Sequence, residues 1–91
     1  MNVTVQLFAQ LAVVAGTNEH QVTLPANASA QDCVRHLADE FGADFAAIAL
    51  REDHLHPTVL LFVDNQQIDW NTHTPLRDGT SLVLAMPIAG G

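Results

Sequence analysis

Between Ser29 and Gly42 the apolar residues Ala30, Cys33, Val34, Leu37, Ala38 and Phe41 recur at i, i+3, i+4 and i+7. That is the stripe of an amphipathic helix. Ser29 supplies an N-cap, Asp32 puts a negative charge in the first turn, and Gly42 stops the helix. No other segment carries so long a helical pattern. One helix covers one face of a sheet and leaves the other bare, so the chain is expected to fold as two layers, α+β.

The strands follow from alternation and short apolar blocks. In NVTVQLFA, Val3, Val5 and Leu7 share one face while Thr4, Gln6 and Phe8 share the other. LAVVAGTN reads as an apolar turn closing on Gly16, and HQVTL as a second strand ended by Pro25. After the helix, ADFAAIAL continues as a short second helix with Phe45 and Ile48 inward, and REDHLHP as a polar loop. TVLLFVD is a strand apolar on both faces, QID a brief strand after a turn at Asn65-Gln66, and NTHTPLRDG a loop turning at Asp78-Gly79. TSLVLAM is the last strand. With the first and last strands as a central parallel pair joined through the helix layer, this order is the β-grasp, or ubiquitin-like, fold: a mixed sheet with one main helix on one face.

That architecture leaves too much apolar surface. Val59, Leu61 and Val63 can face the helix, as can Leu82, Leu84 and Met86. Phe8, Leu60, Phe62, Val83 and Ala85 then share the uncovered face, where a contiguous apolar patch marks a docking site. The alternative is that the REDHLHP loop or the second helix folds over it.

The 91 residues suffice for a single domain, 1–91, and the 48% hydrophobic content suffices for a core. Ten acids against three arginines and no lysine give a net charge of −7. Nucleic acid and anionic lipid repel such a chain, so neither is expected as a partner; basic or apolar surfaces are, unless the acidity only keeps the protein soluble. The lone Cys33 permits no internal disulfide, and MNVTVQLFAQ lacks the basic and apolar regions of a signal peptide. A cytoplasmic protein with no membrane segment is expected.

Side-chain chemistry is sparse. Of His20, His36, His54, His56 and His73, only His54 and His56 are close-set, and they lack a Cys or acidic partner at ligand spacing. Solvated loop histidines and no metal site are the expectation. Cys33 lies on the apolar helix stripe as a core residue, and Asp39-Glu40 read as surface acids. No serine elbow, P-loop or dinucleotide fingerprint is present.

What remains is the end of the chain, Pro87-Ile88-Ala89-Gly90-Gly91. A carboxylate becomes an acyl donor once activated, commonly as an acyl-adenylate. A terminus that must thread a narrow channel to reach ATP is best built without side chains, and two glycines give the thinnest backbone with free φ/ψ choice. Residues 87–91 are therefore expected to be a flexible tail for insertion, with the Gly91 carboxylate as the reactive group.

LFAQLAVVAGT, residues 7–17, resembles the opening of the molybdopterin synthase small subunit. PLRDGTSLVLAMPIAGG, residues 75–91, resembles the closing turn, strand and di-glycine tail of the MoaD/ThiS family of ubiquitin-like sulfur carriers. The resemblance implies a carrier with no catalytic side chain and no permanently bound cofactor. An E1-like enzyme would adenylate Gly91 with ATP and Mg²⁺, and a persulfide-derived sulfur would leave a C-terminal thiocarboxylate. The tail would then enter the large subunit of molybdopterin synthase, in molybdenum cofactor biosynthesis, with docking through the exposed sheet face. LHPTVLLFVDNQQIDW also resembles carriers that feed cysteine or siderophore synthesis. Another sulfur pathway, thiazole synthesis included, a ubiquitin-like protein modifier and an inert β-grasp module stay open.

Overall fold

The structure, a computed structural model, describes residues 1–87. Its elements are β1 (Asn2–Leu7), α1 (Gln10–Ala15), β2 (Glu19–Thr23), α2 (Ala30–Phe41), α3 (Ala43–Ala49), β3 (Leu50–Arg51), β4 (His54–Leu55), β5 (Leu60–Val63), β6 (Gln66–Gln67) and β7 (Ser81–Ala85). The main sheet has the order β2-β1-β7-β5-β6. β1 and β7 run parallel, and the other pairings are antiparallel. A parallel pair needs a long crossover, and the helical layer supplies it. This is the expected β-grasp.

The helix forms where the apolar spacing places it. Ser29 and Asp32 close a capping box: the Asp32 N–H donates to Ser29 Oγ at 3.1 Å, and the Ser29 N–H donates to Asp32 Oδ2 at 3.0 Å. Gly42, at φ 95°, ends α2 where a side chain would be strained, and α3 begins at once. Cys33, Val34 and Leu37 are fully buried against Val3, Val5 and Leu7 of β1, Leu61 of β5, and Leu82 and Leu84 of β7. Asp32 and Asp39 face solvent. Phe41 is only half-buried, its ring tilted against His20 at 5.0 Å and Phe45 at 5.3 Å, while Phe45 itself is fully buried.

Two segments differ from expectation. LAVVAGTN is a turn of helix, α1, closed by Gly16 at φ 76°. Six residues with two valines are too short for a period to register, and the helix forms because Leu11 is drawn wholly into the core. REDHLHP is a β-hairpin, β3–β4, whose tip residues Glu52 and Asp53 both take positive φ.

The connection between β6 and β7 is fastened to the start of α2. Gln31 is buried, and its Nε2 donates to the Trp70 carbonyl at 2.7 Å and the Thr72 carbonyl at 2.9 Å. The Ala30 N–H donates to the Thr74 carbonyl, and the Leu76 N–H to the Ala28 carbonyl. A glutamine beside the apolar stripe carries no sequence signal for this role. Among the described residues no helix is long and apolar enough to cross a membrane.

Candidate functional site

The strand register assembles the uncovered face. Gln6 pairs with Val83, Val83 with Phe62, and Phe62 with Gln67, forming one row across four strands. The next row lies toward the C-terminal end of β7. There the Phe8 N–H donates to the Leu84 carbonyl at 3.2 Å and carries the parallel ladder one residue past β1. That sets Phe8 beside Ala85, and Ala85 pairs with Leu60. All five residues expected on this face are thus brought together on it. Leu60, Phe62, Val83 and Ala85 are half-buried, and Phe8 is 50% exposed.

Neither alternative cover lies over them. The β3–β4 hairpin sits on the helix side, where Arg35 Nε meets Asp53 Oδ1 at 3.2 Å, and α3 packs with α1 and α2. The other half of the face is polar and internally satisfied. Thr4 and Gln21 exchange side-chain hydrogen bonds of 2.9–3.2 Å, and Thr23 Oγ1 donates to Asn2 Oδ1 at 3.2 Å. The apolar half is therefore the half free to be desolvated, and it adjoins the end of β7.

The chain leaves the sheet there. Met86 packs half-buried against the core, and Pro87, exposed and without an N–H, cannot continue the ladder. Ile88, Ala89, Gly90 and Gly91, on which the tail and carboxylate expectations rest, lie outside the described residues.

The histidines depart in part from the loop expectation. His20 lies on β2 and His36 on α2, and both meet Glu40: His20 Nε2 to Oε2 at 2.7 Å, His36 Nε2 to Oε1 at 3.3 Å. These contacts tie the edge strand to the end of the helix. Among the described residues, no group of three or more His, Cys, Asp or Glu is placed to hold a metal ion. Cys33 is fully buried, and burial pushes its thiol up to about 12, so it stays protonated and unreactive. The backbone N–H of Ser29 holds the Asp32 carboxyl below its usual range, against a smaller opposing effect of burial. Both groups serve the fold.

Comparison with known proteins agrees with this fold. No curated protein matches the chain. Among solved structures it is similar to SAMP1, small archaeal modifier protein 1, of Haloferax volcanii: TM-score 0.86 and 22% identity over 100% of both chains. It is similar to a chain of the BexX/CysO complex of Amycolatopsis orientalis, with TM-score 0.74 and 21% identity over 98% of this chain and 99% of that one. It is also similar to a chain of the complex of subunits 1 and 2 of Molybdopterin-converting factor from Helicobacter pylori, at TM-score 0.61 and 21% identity over 100% of both. At these identities the likeness establishes the fold. The profile of the ThiS family matches residues 5–91, nearly the whole sequence. The chain belongs to the ThiS family, as a MoaD/ThiS-like protein of the ubiquitin-like β-grasp fold.

Proposed function

We propose that the chain is a sulfur carrier whose reactive group is the C-terminal carboxylate of Gly91. An E1-like enzyme transfers AMP from ATP, with Mg²⁺, to that carboxylate, releasing pyrophosphate. A persulfide sulfur attacks the acyl carbon and AMP leaves. A second thiolate then cleaves the resulting acyl disulfide, releasing the thiocarboxylate and leaving a disulfide on the donor side. No side chain of the carrier takes part, in keeping with a small, non-catalytic carrier subunit. The observation that carries this reading is the apolar row Phe8–Ala85–Leu60, at the strand end from which the sequence runs on to Gly90-Gly91.

The acceptor we favour is the large subunit of a molybdopterin synthase, with Pro87, Ile88, Ala89 and Gly90 inserted as the tail. Likeness to chains seen in two-protein complexes supports an acceptor enzyme as partner, and one of those complexes is of Molybdopterin-converting factor. Mass spectrometry of the protein from its native host tests the carrier reading: one oxygen-for-sulfur exchange confined to the C-terminal peptide is expected. Incubating the thiocarboxylated protein with that large subunit and the pterin precursor tests the pathway. The likeness to a small archaeal modifier protein favours a second reading, conjugation to target lysines. Target proteins joined through a lysine isopeptide bond to the Gly91 carboxyl, with no thiocarboxylate, would decide for it.

A further inference from the structure

Among the described residues, five that are not glycine have positive φ. Four form the pairs Glu52–Asp53 and Asp64–Asn65, between the strands of the β3–β4 and β5–β6 hairpins, where type I′ turns require that sign. The fifth is Ala9, at φ 55° and ψ −134°. This is the mirror image of the polyproline II basin. An L-alanine is strained there and a D-alanine would be relaxed.

The surroundings enforce the strain. On one side the Phe8 N–H is held by the Leu84 carbonyl and the Leu7 N–H by the Asn18 carbonyl at 2.9 Å. On the other, the Ala9 carbonyl accepts from the Ala12 N–H at 3.1 Å and the Val13 N–H at 3.3 Å, opening a helix that has no side-chain cap. Leu11, two residues on, is fully buried. The chain passes from ladder to helix within one residue. A gentler turn would pull Phe8 off the ladder or lift Leu11 from the core.

We propose that Ala9 is a positioning residue for docking, its left-handed backbone holding Phe8 outward as a pre-organised anchor for the adenylating enzyme. The inference rests on the carrier reading. That enzyme must take up Gly91, six residues beyond Ala85 and so within roughly 20 Å of the strand end. It therefore covers the end of the sheet where Phe8, Ala85 and Leu60 stand. Backbone strain persists where its surroundings over-determine it, and an anchor already in place loses little freedom on binding.

Two variants separate rigidity from strain: Ala9→Gly, and a semisynthetic chain with D-alanine at position 9. Each is assayed for pyrophosphate release with the host's adenylating enzyme, ATP and Mg²⁺, and each is melted. Ala9→Gly relaxes the backbone but frees it, so KM for the carrier should rise about two- to fivefold with kcat unchanged. The D-alanine chain should keep the wild-type KM and melt above wild type. An unchanged KM in Ala9→Gly, or an equal rise in the D-alanine chain, overturns the inference. So does a D-alanine chain that melts no higher than wild type. Wild-type protein that is not adenylated at Gly91 ends the carrier reading itself, a result distinct from these.

Discussion

Replacing Phe62 with Glu separates docking from folding. Phe62 points away from α2, between Val83 of β7 and Gln67 of β6, and is half-buried, with no layer above it among the described residues. Full burial of a Phe contributes about 1.5–3 kcal/mol, so partial burial among cross-strand neighbours corresponds to about 1–2 kcal/mol. For a domain of this size each kcal/mol lowers Tm by about 4–8 °C. The expected fall is therefore on the order of 5–15 °C, with the fold retained. The adjacent Leu61 faces inward and is 1% exposed; Leu61→Ala should cost about 2–5 kcal/mol through the cavity it leaves. Binding should order the two variants the other way. An aromatic anchor desolvated in an interface is worth about 2 kcal/mol or more, so Phe62→Glu should weaken affinity for the adenylating enzyme at least about thirtyfold. Leu61→Ala, while folded, should bind nearly normally. Thermal melts and calorimetric titration with that enzyme give both numbers. A Phe62→Glu protein that melts as low as Leu61→Ala, or binds like wild type, would show that the outer face is not the docking surface.

Deleting Gly91 should leave Tm unchanged and abolish thiocarboxylate formation: the carboxylate is withdrawn by about 3.5 Å, and 1 Å can cost on the order of a hundredfold. A normal thiolation rate would reject Gly91 as the reactive group. Ser29→Ala removes the capping-box oxygen and should destabilise the fold by about 1 kcal/mol in denaturant titration. Because the Ser29 backbone N–H holds the folded Asp32 carboxyl below the usual carboxylate range, its stabilisation is present above that range and lost as pH falls through the lower folded value. Asp32→Asn should flatten that part of an acid titration of stability. Cys33, buried and with its thiol pushed up to about 12, should react with thiol reagents only at the rate of unfolding; fast labelling of native protein would contradict its place in the core.

Wherever a residue's environment repeats along the chain, the sequence alone sufficed. The spacing from Ala30 to Phe41 and the alternation from Val3 to Leu7 are periodic records of which side meets the core, and they determined the α2 phase, the β-grasp and the five residues of the outer face. The Gly-Gly ending is a feature of the sequence alone, and the chemistry proposed for it needs no tertiary neighbour. Tertiary structure decided what short or isolated segments become. α1 is too brief to show a period and exists because the core takes Leu11; Glu52 and Asp53 turn a hairpin that their polarity did not announce. Gln31 earns its burial from the carbonyls of Trp70 and Thr72, some forty residues away in sequence. His20 and His36 meet over Glu40 because β2 lies beside the end of α2. Ala9 takes a glycine-like backbone because the ladder on one side and the core on the other leave it no other path. These features arise from contacts distant in sequence, and no local pattern encodes a partner that only folding brings near.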